Sequence, residues 1–468
     1  MRTRTLLRTL LLGWVSLWGA GARAEEAASS AEPAPAPAAE VAAKAPGWEF
    51  DVGAREEYRF RGSAGESSHE LRLDLDFGAR SPAGHFQALG DLTLWWQAAR
   101  TPPEDSGAPF GLNTIYAGRN PWFNVFQLWG EYAADGVLKI VRVGRQEAEH
   151  GRPAAFDGGY VLLRPVERLA LFAFGGRSEH FFETNMPLFE DWIASAGGVV
   201  RIVPGLRVEA DYRLLREDVP ALEGRLPVTD HSYGLAASYR SPDLLTAKLA
   251  VRALNDSLSE VSGVVRVFLP KHEFGVDAHL YFQPVELGEH NELDNPYFLT
   301  LGRSLPHARW KLDLYKLVPL GKKGGVVEAH LGWAGRQLLS DPQSAFNRNE
   351  GRLYGMLAVR DLGLKGLFAQ LWLDRLSDRA FPVKGKGLFA VNAALGYDRE
   401  WIRGELGTQY HRWEYVYYQD VQEIADVRVF YVEATVKPLS WLSVRGRYSV
   451  EVFDRTLHTA TLTLAQAY

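Results

Sequence analysis

The chain has 468 residues, and 57 acidic side chains against 52 basic ones leave it at −5. That balance argues against a nucleic-acid binder. It has no cysteine, so an exported fold of this size has to be held without disulfides. Aromatic residues make up 12% of it, including 14 Trp, more than a soluble domain usually needs and enough for two interfacial girdles of a membrane barrel.

Residues 1–24 read as a secretory signal peptide. Arg2 and Arg4 precede an apolar run from Leu6 to Trp18, and Ala22-Arg23-Ala24 supplies the small residues of a cleavage site. Residues 25–46 are rich in Ala, Pro and Glu and are expected to be a disordered periplasmic lead. Beyond them no stretch holds eighteen consecutive apolar residues, so no transmembrane helix is expected in residues 47–468.

From Gly47 onward the pattern is hairpin after hairpin. Leu71, Leu73, Leu75 and Phe77 interleave with Glu70, Arg72, Asp74 and Asp76. Leu206, Val208, Ala210, Tyr212 and Leu214 interleave with Arg207, Glu209, Asp211 and Arg213. Period-two alternation gives a strand one apolar and one polar face. Connections alternate between short turns built on Gly, Pro, Asp or Ser, such as Ser81-Pro82-Ala83-Gly84 and Pro204-Gly205, and long loops. The long ones include Thr101 to Trp122, Glu217 to Thr229 and Pro284 to Pro296. Short turns at one end and long loops at the other are the habit of outer-membrane barrels. The last strand alternates Leu462, Leu464 and Gln466 with small residues and ends on Tyr468, as such barrels do. The expected fold is all-β: one antiparallel transmembrane barrel with an even number of strands, about 22 by the count of hairpins.

The apolar parity is then expected to face lipid and the charged parity a wet lumen. The inward set includes Arg55, Arg59, Arg72, Arg207, Arg213, Arg252, Arg266, Lys311, Arg403, Arg445 and Arg447, mixed with carboxylates such as Glu57, Asp74, Asp211 and Glu405. Tyr281 beside His279 and Trp372 beside Gln370 add inward aromatic faces. No catalytic constellation is visible: His231 and Ser232, being adjacent in a strand, point to opposite faces, and no spacing suggests zinc. The loop carrying Glu286, Glu289, Glu292 and Asp294 is acidic, with a solvated loop favoured over a Ca²⁺ site. No enzyme activity, cofactor or metal is expected.

Val143-Gly144-Arg145-Gln146, followed after a loop by Phe156-Asp157-Gly158, resembles a motif of the alginate-export family of outer-membrane barrels. The resemblance covers about twenty residues, with Gly144, Arg145, Gln146, Phe156, Asp157 and Gly158 as its matching positions. It implies a positively lined barrel of 18 strands, with Arg145 among the residues that touch the cargo. That cargo would be an anionic exopolysaccharide, taken from a periplasmic scaffold protein and passed by a monomeric barrel set in outer-membrane lipid and lipopolysaccharide. A porin for small polar solutes is the alternative, favoured by the near-balanced charge of the inward face. A long loop such as Thr101 to Trp122 is a candidate plug in either case.

Overall fold

The computed structural model describes residues 47–467, apart from 64–65, 102–120, 179–190, 222–223, 243, 288–303, 322–324, 341–346, 348, 362, 379–386, 418–420 and 454–455. The expected signal peptide and Ala/Pro-rich lead, most of the Thr101–Trp122 loop, Glu289, Glu292, Asp294 and Tyr468 lie outside the described residues.

Twenty-two strands follow one another. The first eight are β1 (Glu49–Ser63), β2 (Glu66–Arg80), β3 (Phe86–Thr101), β4 (Trp122–Ala133), β5 (Leu138–Glu147), β6 (Ala155–Val166), β7 (Leu169–Ser178) and β8 (Trp192–Val203). Then come β9 (Leu206–Ala221), β10 (Gly224–Arg240), β11 (Leu245–Leu254), β12 (Ser257–Leu269), β13 (Phe274–Gln283), β14 (His307–Leu320) and β15 (Gly325–Leu338). The last are β16 (Glu350–Arg360), β17 (Leu367–Asp378), β18 (Gly387–Asp398), β19 (Ile402–Tyr417), β20 (Val421–Leu439), β21 (Leu442–Val452) and β22 (Thr456–Ala467). Each pairs antiparallel with its neighbours in sequence, and β1 pairs with β22 from Gly53↔Ala467 to Gly62↔His458, which closes the sheet. Closure leaves no unpaired edge, which answers how a cysteine-free chain is held. The 22 strands match the hairpin count and replace the 18 that the family resemblance implied. With strands about 4.8 Å apart and tilted roughly 40°, the wall has a radius of about 20 Å.

The alternation sorts as expected over most of the wall. Leu71, Leu235, Leu249, Leu331 and Leu406 are exposed on the outside, while Glu57, Glu70 and Asp374 are buried on the inside. Aromatic girdles bound the apolar belt. Trp48, Phe50, Phe86 and Trp401 lie toward the end with short turns. Toward the loop end, tyrosines tie their hydroxyls to neighbouring histidines: Tyr58 to His69 at 2.6 Å, Tyr212 to His231 at 2.8 Å and Tyr448 to His458 at 2.7 Å. One expected long loop is absent. Glu217 to Thr229 is mostly strand, with Glu217↔Val228 and Arg216↔Thr229 continuing the β9–β10 ladder.

The strands β6 to β8 depart from the simple pattern, because both of their faces are largely apolar, and Leu215 of β9 joins their inner face. Val161 and Leu163 face out, while Phe156, Tyr160, Leu162, Phe172, Phe174, Ile193, Val199 and Leu215 face in and form the core cluster, with Ala154 among them. What makes an apolar interior stable is a protein partner inside the lumen, the segment 148–154 between β5 and β6. Its Ala148 and Ala154 join the cluster.

Candidate functional site

The block Val143-Gly144-Arg145-Gln146 is where the infolded segment begins. Across β5 and β6 the register sets Gly144 opposite Gly158, Arg145 opposite Asp157 and Gln146 opposite Phe156. Gly144 has φ +131°, and a Cβ there would stand 2.2 Å from the Leu128 carbonyl oxygen, so only glycine fits. Gln146 donates from Nε2 to the Gly158 carbonyl at 3.1 Å, and Phe156 stacks on Phe174 at 4.9 Å. The strands are thereby locked just below the turn, and the chain above them bends into the lumen.

Segment 148–154 is tied down at several points. Ala148 N–H donates to Ala154 O at 2.9 Å, closing its base. His150 Nδ1 lies 2.8 Å from the Tyr160 hydroxyl, and its ring stacks on Phe172 at 5.0 Å. Gly151 N–H donates to Glu209 Oε1 of β9 at 2.6 Å. Glu149 pairs with Arg142, whose guanidinium also donates to Glu131 at 2.7 Å and lies 4.2 Å over Trp129. Burial, assisted by Arg207, pushes His150 below its ordinary pKa against the pull of Glu209 and Glu149.

At the tip of the segment Arg152 stands near Glu260 of β12, Arg252 of β11, Tyr281 of β13 and Asp211 of β9. Arg252 reaches Asp211 at 3.4 Å. Arg213 of β9 lies beside Arg152 and Arg252, with Asp211 and Glu217 nearby. It is 2% exposed, and two of its guanidinium nitrogens, Nε and Nη1, have no hydrogen-bond partner among the described residues. A buried guanidinium with unused donors is costly and calls for an acceptor. A carboxylate or another small anion supplies one with fitting fork geometry. On the far side of this cluster Arg309 lies over the Tyr281 ring at 5.3 Å and donates to His307 at 2.8 Å.

The other expected lumen residues take their places around the wall, mostly in ion pairs. Arg59 meets Glu57 at 2.6 Å, and Arg55 meets the same carboxylate at 3.4 Å. Arg72 meets Asp74 at 2.8 Å, Arg266 meets Asp277 at 3.0 Å and Lys311 meets Asp313 at 2.9 Å. Arg403 meets Glu405 at 3.1 Å, and Arg445 and Arg447 share Glu433 at 2.7 and 3.7 Å. Arg207 lies on the inward parity of β9, below the infolded segment. Trp372 stacks on Tyr354 at 5.8 Å, an inward aromatic pair as expected. These side chains form belts of mixed sign, and the neighbourhood of Arg152, Arg213 and Arg252 gathers arginines at one level, as Arg336, Arg352 and Arg375 do on β15 to β17.

Arg145 is the correction. It shares its parity with Val143, which is 63% exposed, and forms a bidentate pair with Asp157 at 2.7 Å on the outer surface of the wall. The alternation of Val141, Val143 and Arg145 against Arg142 and Gln146 already carried that orientation. Arg142, Arg152, Arg309 and Arg352 were missed as lumen residues. Arg352 donates from Nε to both Asp374 oxygens at 3.0 Å. Period two marks Arg142 and Arg352 as inward; nothing local marks Arg152, whose place depends on the infolding of its loop.

No family model matches the chain, and no curated protein matches it in sequence. Among solved structures it is similar to the translocation pore of the P pilus usher PapC, with 9% identity over 90% of this chain and 99% of that one at a TM-score of 0.50. A BenF-like porin from Pseudomonas fluorescens Pf-5 is 11% identical over 90% and 98%, at a TM-score of 0.44. OccK2 (OpdF) of Pseudomonas aeruginosa, solved in complex with glucuronate, is 12% identical over 90% and 96%, at a TM-score of 0.41. The likeness is one of fold: a closed antiparallel β-barrel.

Proposed function

We propose that the protein is an outer-membrane channel for small polar solutes, with a preference for those that carry a carboxylate. The carrying observation is the gathering of Arg152, Arg213 and Arg252 on the lumen side, where two guanidinium nitrogens of the buried Arg213 lack a hydrogen-bond partner among the described residues. A channel site has to bind well enough to admit a solute and weakly enough to release it. Belts of paired charge satisfy the second condition, and the arginine cluster satisfies the first. The infolded segment favours a small solute over a polymer, because it takes up lumen space along the β6 to β13 side of the wall.

The test is single-channel recording in a planar bilayer with a small sugar acid as blocker. The reading expects block by the acid and little block by the matching neutral sugar. Arg213→Gln should raise the blocking concentration about ten-fold, the effect of one charged hydrogen bond. A pore that acid and neutral sugar leave equally unblocked overturns the preference. Accumulation of polysaccharide in the periplasm of a deletion strain would favour polymer export instead.

A further inference from the structure

Away from the arginine cluster, one stretch of the lumen wall is uncharged. The register sets Met356, Trp372, Asn392, Gln409 and Val429 side by side across the five strands β16 to β20. All five have the inward parity. On the same strands Leu357, Leu371, Leu395, Leu406 and Phe430 are exposed on the outside, while Ala358, Asp374, Ala394 and Val427 are buried. The nearest charges are already engaged: Asp374 accepts from Arg352 at 3.0 Å, and Asp313 pairs with Lys311 at 2.9 Å.

Tyr354 holds Trp372 in place. Its ring lies 5.8 Å from the indole and only 14° off parallel. Tyr354 is itself fixed. Its hydroxyl donates to Asp313, Arg352 lies over its ring at 4.9 Å, and the ring fills the space above Gly332, where a Cβ would stand 2.1 Å from it. Among the described residues a guanidinium covers Tyr281, Tyr354 and Tyr431 but none covers Trp372, so the indole presents a face to the lumen. Three amides surround it. Asn392 is its direct neighbour on β18, Gln409 lies one strand further, and Gln370 is one pleat along β17. Asn392 Oδ1 is shut off from solvent and has no hydrogen-bond partner among the described residues. A buried acceptor without a donor is costly and calls for one. Gln370 and Gln409 likewise make no hydrogen bond to other described residues.

We infer that this patch is a second binding site in the lumen and takes an uncharged sugar. A pyranose ring packs its C–H face on Trp372, and its hydroxyls bond the amides of Asn392, Gln370 and Gln409. Hydroxyls both donate and accept, as primary amides require, and the row has no spare charge to select an ion. Two strand spacings separate Trp372 from Gln409, about 10 Å, which a disaccharide spans. A ring offers the indole a flat array of C–H groups, which an open chain of the same composition does not. The site rests on the reading of this face as a wet lumen and not on the carboxylate preference of the arginine cluster, which lies on β9, β11 and segment 148–154. A sugar held flat on one wall leaves the rest of the lumen open, so it is detected by binding rather than by block.

The experiment is saturation-transfer-difference NMR on the full chain in an amine-oxide detergent, which has no sugar headgroup to compete. The ligands are maltose and the open-chain polyol sorbitol. Maltose should take up saturation on its ring C–H protons with a dissociation constant of about 1–10 mM, and sorbitol should bind about ten-fold more weakly or less. Trp372→Ala should weaken maltose binding about ten-fold, Trp372→Phe less than that, and Asn392→Ala about five-fold. Block of single channels by a sugar acid should be unchanged in Trp372→Ala, which separates this site from the arginine cluster. No transfer to maltose, equal binding of sorbitol, or maltose binding unchanged in Trp372→Ala would overturn the inference. If that variant fails to fold, the comparison of maltose with sorbitol on the unaltered chain decides the matter.

Discussion

Single residues carry the chemistry of this barrel, and their burial says which ones matter. Surface-like pairs such as Arg72–Asp74 are half in water and contribute little each. Arg213 differs in having a low-exposure guanidinium with spare donors. His150 adds a pH dependence. Burial lowers its pKa in the seated loop, so above its unseated value of about 6.5 the ring is neutral in both states and seating is unaffected. As pH falls through that value the unseated loop takes up the proton more readily, and seating loses stability. Conductance noise recorded from pH 8 to 5 should rise on the acid side, and His150→Gln should flatten the profile. Gly144→Ala should lower thermal stability measurably: the left-handed φ alone costs about 1–3 kcal/mol, and the contact with Leu128 O adds to it. A melting curve that matches the unaltered chain would contradict this.

At the scale of elements, the decisive unit is the β5–β6 hairpin with its infolded segment. The motif block of Gly144, Arg145, Gln146, Phe156, Asp157 and Gly158 serves as its hinge plate, and the apolar cluster on β6 to β9 is its seat. Truncating Phe172, which contacts His150, should cost about 3–5 kcal/mol if the cluster cannot collapse around the gap. Hydrogen exchange should then accelerate in 148–154 before it does in the strands. Uniform protection in Phe172→Ala would show that the segment is held by its polar ties alone. The sequence was informative about strands here and silent about the segment. Tyr160 to Leu163 and Leu169 to Phe174 are continuous apolar runs of the kind that marks burial on both faces. What covers the inner face is set by contacts to β9, β11, β12 and β13, far away in the chain, and no local pattern encodes it. The loop expected between Glu217 and Thr229 failed for a related reason: polar residues at a strand end read as loop when they extend a ladder above the membrane.

At the scale of the whole molecule, charge alternation and turn chemistry were enough for a closed antiparallel barrel, and the hairpin count of 22, rather than the 18 of the resemblance, matches the wall. Leu71 to Asp76 and Leu206 to Arg213 face as period two requires, and the short turns at Ser81–Gly84 and Pro204–Gly205 fall where strands end. The resemblance implied a lumen-facing Arg145 and 18 strands, whereas Arg145 shares the outward parity of Val143 and the wall has 22 strands. The closed sheet also predicts behaviour in bulk. The protein should need detergent for extraction and should migrate faster on a gel unheated than boiled, since a barrel without edges resists unfolding in mild detergent. Release into a detergent-free periplasmic fraction would contradict the membrane reading.

The central claim is that segment 148–154 takes up lumen space and completes, through Arg152, the arginine cluster with Arg213 and Arg252. It is tested most directly by recording single channels of the unaltered chain and of a variant in which residues 149–153 are replaced by two glycines. The account predicts a conductance larger by about two-fold or more in the variant, because a side-lining constriction is gone, together with loss of block by a sugar acid. An unchanged conductance with unchanged block would contradict it.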